Sequence, residues 1–323
     1  MLIYVSRRLF QLVPLLLVIS AVIFALLYSM PGDPLYRMLQ DVPHLRPEDY
    51  ERLRKLYGFD DPFYVQYWKW LWQLIQLNPG YSREYGQPVF EIIWPALKNT
   101  LVLTLLAVAI GKTIAILLGI FSAVRQYSVG DYLMTSVTFI AYSIPAFWLG
   151  LMLIIVFSVK LGWLPTSGLL SPGVAPASWE ASIDWIKHLI LPVAVLAISE
   201  IIQVQRFMRS SMLEVLRQDY LITARAKGLS ETVVVGRHAL KNALIPVVTI
   251  IAVTMPRVVG GSTVVETVFA YPGMGRLLYT SIMGNDYVVA MTVVMIIAVT
   301  VVGFNLIADI VYGWLDPRIR YQS

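Results

Sequence analysis

Six stretches of this chain are too apolar and too long to fold as anything but helices that cross a lipid bilayer. They cover residues 9–28, 97–124, 132–159, 188–208, 244–269 and 287–314, each at or above the ~20 residues that bridge a hydrocarbon core. Within that core every backbone amide must find a partner inside the protein, and a helix supplies it locally. Composition agrees. With 58% hydrophobic and 14% charged residues, there is too little charge to cover a soluble domain of this length. The expected fold class is an all-α polytopic membrane protein with six transmembrane helices.

The first run follows Arg7 and Arg8, as in a signal peptide. It is long enough to span, and no small-residue cleavage site follows it, so a retained first helix is expected. Met30-Pro31-Gly32-Asp33-Pro34 would stop that helix. Residues 31–96 then form an extracytoplasmic helical segment. In it, 48–57 reads as a charged helix ended by Gly58, and 64–77, with Trp68, Trp70 and Trp72, reads as an amphipathic helix at the membrane surface. A docking surface for an outside partner and an interfacial aromatic belt are equally open readings of it. A five-helix core over 97–315 and a tail at 316–323 complete the division.

Basic residues set the orientation. Arg7 and Arg8, Arg125, the cluster Arg209, Arg217, Arg225, Lys227, Arg237 and Lys241, and finally Arg318 and Arg320 fall on one side of six spans. The positive-inside rule makes that side, and both termini, cytoplasmic. The net charge of +5, from 25 Lys and Arg against 20 Asp and Glu, therefore reports inner loops and not a nucleic-acid partner.

Little of the chain offers chemistry. Cysteine is absent, which removes thiolate metal sites and cysteine nucleophiles. His44, His188 and His238 have no ligand spacing, so no metal site is expected. Gly111-Lys112-Thr113 imitates the end of a phosphate-binding loop, but Leu106 occupies the place of the required glycine. No catalytic residues and no nucleotide site are expected. Ala107, Gly111, Ala115, Gly119 and Ala123 recur every four residues, a small-residue stripe suited to close helix packing inside a bundle or between subunits.

Charges within the spans are costly and need a purpose. Lys112, Glu200, Arg257, Glu266 and Asp309 stand there, with Gln203 and Gln205 beside Glu200. They either line an aqueous pathway or pair inside the bundle. Pro256, with Gly260 and Gly261, predicts a kink or break in the fifth span. Glu200, Gln203, Pro256, Arg257 and Glu266 make up the candidate pathway or gate.

The main polar insertion is the loop 209–243. Its sequence predicts two short helices around Gly228, with Thr223 to Lys227 ending the first, Gly228 as a left-handed stop and Ser230 as the N-cap of the second. A helix projecting from the inner face suits a groove on another protein, or contact with anionic lipid.

The residues Thr223-Ala224-Arg225-Ala226-Lys227-Gly228-Leu229, followed by Arg237-His238-Ala239-Leu240-Lys241-Asn242-Ala243-Leu244-Ile245-Pro246, resemble the EAA-type loop of binding-protein-dependent ABC importer permeases. The likeness is to the B-type subunit of the dipeptide, oligopeptide and nickel branch. Pro31-Gly32-Asp33-Pro34, Ser143-Ile144-Pro145-Ala146-Phe147-Trp148, Val265-Glu266-Thr267-Val268-Phe269 with Tyr271-Pro272-Gly273-Met274-Gly275, and Asp316-Pro317-Arg318-Ile319-Arg320 extend it along the chain. Ile222 or Thr223 stands where the broader pattern has glutamate, as in the peptide branch.

The resemblance implies a MetI-like ABC importer permease fold in a prokaryotic inner membrane. It implies a second homologous permease, in a heterodimer, two cytoplasmic ATPase subunits that hold ATP and magnesium, and an extracytoplasmic substrate-binding protein. Thr223, Ala224, Arg225, Ala226, Lys227, Gly228 and Leu229 would dock the ATPase, and the cargo would be a di- or oligopeptide. Nickel, glutathione or another small solute is the alternative cargo. An ion-coupled secondary transporter is the rival class, but no inverted repeat or carboxylate cluster supports it.

Overall fold

The computed structural model describes residues 2–29, 47–58, 60–175 and 178–315. The Pro31-Gly32-Asp33-Pro34 stop, His44 and the C-terminal tail lie outside the described residues. Twelve helical elements are described: α1 (Leu2–Tyr28), α2 (Pro47–Tyr57), α3 (Phe63–Ile75), α4 (Val89–Val124), α5 (Val129–Ser143), α6 (Ala146–Lys160), α7 (Trp179–Leu216), α8 (Asp219–Ala226), α9 (231–261), α10 (Thr263–Val268), α11 (Met274–Met283) and α12 (Tyr287–Leu315). The helices α4, α7, α9 and α12 are each long and apolar enough to cross a bilayer, and the bent pair α5–α6 makes a fifth candidate. In α1 the apolar stretch is Phe10–Leu26, slightly short of the ~20 residues of a full span. Six crossings are compatible with this set.

Two predicted spans are broken. The third, expected as one helix over 132–159, bends by 102° between α5 and α6. Ile144, ahead of Pro145, is extended at φ −81°, ψ 125°, as the proline ring requires of its predecessor. The fifth span breaks where the glycine pair predicted, at Ser262, between α9 and α10. Both α6 and α9 carry π-type turns, at Ile154–Lys160 and Val234–Ala239.

The chain forms two compact units. Of the described residues, the larger holds 100–175, 178–272 and 303–315, and the other holds 2–29, 47–58, 60–99 and 273–302. In the second unit α3 packs on α1. Phe24 meets Tyr67 and Trp70 at ring-centroid distances of 5.7 and 5.6 Å, and the Ser20 and Tyr67 hydroxyls bond at 2.8 Å. Trp68 and Trp72 stay on the outer face, about 60% exposed. The turn 81–88 is fastened by Asp286, which accepts from Ser82 Oγ at 2.5 Å and from the Glu84 amide at 3.2 Å. The same carboxylate caps α12 through the Val289 amide.

The larger unit is organised around α7, 38 residues long. The small-residue stripe of α4 lies against it, and all five of its residues are buried. A β-carbon added at Gly111 would sit 2.8 Å from the Ala197 carbonyl, and one at Gly119 would sit 2.6 Å from Met208 Cβ. The stripe therefore packs within the chain. In lipid, where apolar side chains gain nothing by leaving the solvent, such close approach is a main source of helix association.

Replacing Gly119 by Val is expected to overpack this seam by about 1–3 kcal/mol. Thermal unfolding followed by size-exclusion in detergent should show a lower Tm than wild type. An unchanged Tm would mean that the seam is looser than described.

Candidate functional site

The polar loop is a solid corner of the larger unit. In α8, Leu221 is fully buried and Ala224 nearly so, and both enter a core with Met208 and Met212 of α7 and Val234, Ala239, Ala243 and Val247 of α9. Burying a side chain such as Leu221 is worth about 1.5–3 kcal/mol. Ser211 Oγ donates to the Ala243 carbonyl at 2.8 Å, and Asn242 Nδ2 to the Tyr220 hydroxyl at 2.7 Å.

The helix end is closed by its own backbone. The Leu229 amide donates to the Ala224 carbonyl and the Gly228 amide to that of Arg225, the paired pattern of a Schellman stop. Gly228 stands at φ +78°, where a β-carbon is strained. Ser230 begins the next helix, but its side chain makes no capping bond. That second helix differs from the short one predicted: from residue 231 it continues without interruption into the α9 span.

Six of the seven predicted docking residues are exposed. Thr223, Arg225, Ala226, Lys227, Gly228 and Leu229 face outward, while Ala224 is buried and anchors the helix. Arg225 pairs with Glu231 at 2.6 Å. That hydrogen bond raises the guanidinium above its ordinary value, so Arg225 is charged at any physiological pH.

The candidate pathway residues occupy different surroundings. Glu200 Oε2 lies 3.4 Å from Lys112 Nζ. The same ammonium donates to Thr254 Oγ1 at 2.7 Å, so this polar set ties α4, α7 and α9 together. Glu266 is fully buried, and its Oε1 accepts from Thr100 and Ser262, each at 2.7 Å. Pro256 and Arg257 belong to α9, but their side chains lie outside the described residues. Gln203 is exposed on the wall of a groove of about 760 Å³ between α5 and α7.

One important pair was not singled out from the sequence. Asp131 at the start of α5 takes a two-pronged bond from Arg209 of α7, at 2.8 and 3.2 Å, with its carboxylate side chain only 3% exposed. Asp131 also accepts the Tyr127 amide, and Ser128 caps its helix. The Ser128-x-x-Asp131 spacing was a readable helix start. The long-range partner was not.

Residues 115–321 match the family described as "binding-protein-dependent transport system inner membrane component", and residues 1–104 match the corresponding N-terminal family. The chain belongs to this family. The chain is 45% identical over 320 residues to the oligopeptide transport system permease protein AppB of Bacillus subtilis (strain 168), covering 98% of this chain and 99% of the relative. Against the dipeptide transport system permease protein DppB of Alkalihalophilus pseudofirmus it is 37% identical over 339 residues, 99% of this chain and 100% of that one. An inward-facing MetNI methionine ABC transporter structure matches in fold, with a TM-score of 0.55 at 20% identity, over 70% of this chain and 97% of that chain. This membership makes the chain a membrane-embedded transport component and bears out the permease resemblance and fold class read from the sequence. The loop, the Lys112–Glu200 pair and the groove all fall within or beside the larger family match.

Removing Glu200 should leave the buried Lys112 ammonium without its counter-charge and cost about 3 kcal/mol or more, while Glu200, partly exposed, should lose less when Lys112 is removed. Glu200→Leu alone is expected to lower Tm strongly, Lys112→Met alone to lower it less, and the double variant to recover most of the Glu200→Leu loss. A double variant no more stable than either single one would contradict the pairing.

Proposed function

We propose that this chain is one of two permease subunits of an ATP-driven peptide importer in a prokaryotic inner membrane, with both termini cytoplasmic. The observation that carries the reading is the exposed, backbone-capped α8 helix set on a buried core in a chain of the transport family. Two cytoplasmic ATPase subunits, holding ATP and magnesium, seat α8 in a cleft. A second homologous permease completes the pathway, and an extracytoplasmic binding protein delivers the cargo. Peptide is the cargo class favoured by full-length relatives named for oligopeptide and dipeptide transport.

The mechanics follow from rigidity. Leu221 and Ala224 lock α8 to α7 and α9, and both of those helices run on from the loop without a break. A displacement imposed on α8 by closing ATPases therefore passes into two spans directly. Thr223, Arg225, Ala226, Lys227, Gly228 and Leu229 form the contact, Ala224 the anchor. Of the pathway set, Gln203 borders open space; Glu200 and Glu266 are engaged by partners.

Gly228→Val would force a β-branched residue into the left-handed region at a cost of about 1–2 kcal/mol or more and displace the helix stop. Ala226→Glu would put a carboxylate on the contact face. In each variant, binding-protein-dependent ATP hydrolysis and peptide uptake are expected to fall together while membrane insertion is retained. Normal uptake with normal ATPase stimulation in both would sink the docking role.

A further inference from the structure

The groove between α5 and α7 carries a charge pattern of its own. Three of its lining residues are charged at neutral pH: Asp131, Arg206 and Arg209. Arg209 is consumed by its two-pronged bond to Asp131, which leaves the Arg206 guanidinium without a carboxylate among the described residues. Arg206 is exposed on the wall, with its Cζ 5.9 Å from the centre of the Phe139 ring. That contact orients a cation and leaves its in-plane donors available. Beside it, Gln205 is 4% exposed and its Oε1 accepts no hydrogen bond among the described residues. Gln203, Thr135 and Tyr142 add neutral polar groups to the wall.

We infer that this groove is a transit subsite for peptide, in which Arg206 binds the free C-terminal carboxylate. The inference rests on the peptide-importer reading and adds a specificity-determining residue to it. A planar guanidinium binds a carboxylate through two parallel donors, where an ammonium offers a single point charge. The groove has no uncommitted carboxylate to attract an amino terminus, so it distinguishes the two ends of the cargo. A groove of about 760 Å³ is in the ~300–1,000 Å³ range of sites that enclose small ligands.

The test uses the complete importer reconstituted in liposomes, with a mixed library of tri- to pentapeptides as probe and uptake read by mass spectrometry. Because this subsite acts after delivery, Arg206→Gln should lower the uptake kcat by about tenfold or more, leave KM for the loaded binding protein unchanged, and raise the ATP spent per peptide. Arg206→Lys should restore a measurable part of the rate. The loss should be the same in phosphatidylcholine liposomes and in liposomes containing phosphatidylglycerol. Uptake by Arg206→Gln equal to wild type overturns the inference. So does a loss seen only with phosphatidylglycerol, which would make the groove a lipid phosphate site, or a loss of ATPase stimulation in step with uptake, which would make Arg206 structural. If the wild-type complex imports no peptide from the library although its ATPase is stimulated, the peptide reading itself fails, and the inference falls with it.

Discussion

The close approach of α4 to α7 is the contact on which the larger unit depends. Gly111 and Gly119 bring the two backbones to where a single methyl would collide with Ala197 or Met208. Lipid offers little hydrophobic drive between helices, so dispersion over a tightly fitted seam must hold them. The seam also sets positions. Lys112 follows Gly111 directly, which places its ammonium against Glu200 of α7 and Thr254 of α9. One turn beyond Gly119, Ser122 and Ala123 are buried, and the same end of α7 carries Arg209 to Asp131.

From that frame the loop acquires its stiffness. A loop of ordinary polar composition would bend under load and transmit little. Here α8 is too short to be stable alone, yet it is held by Leu221 and Ala224 in a core built from α7 and α9. Its outer face stays free for a partner, and its last carbonyls are satisfied internally through Gly228. Stability on the inner face and accessibility on the outer one are what a force-bearing contact needs. The polar partners between the spans are consistent with this: Lys112, Glu200 and Glu266 are bound by groups on other helices, so they brace the bundle.

Much of this was legible in the sequence, for physical reasons. Hydrophobic length alone identifies spanning helices, because the bilayer permits few alternatives, and Gly228 announced its left-handed turn. The bend at Pro145 was missed because membrane helices tolerate proline in general, and only the structure shows that Ile144 leaves the helix. Ala224 was grouped with the outward residues of its motif, although the helical period turns it inward beside Leu221. The pairs Asp131–Arg209 and Thr100–Glu266 lie 78 and 166 residues apart. No local pattern carries such partners, and they emerge only when packing brings the helices together.

The central claim is that the outer face of α8 touches an ATPase subunit while its inner face belongs to the permease core. The chain has no cysteine of its own, so single cysteines can be placed at Ala226 and at Ala224 in the assembled importer. A short thiol-to-amine cross-linker, with products mapped by mass spectrometry, reads the contact directly. Cysteine at 226 is predicted to couple to lysines of the ATPase subunit, to an extent that changes when ATP is added, while cysteine at 224 gives no ATPase adduct. Absence of an ATPase adduct at 226 in both nucleotide states, or equal adducts at the two positions, would contradict the account.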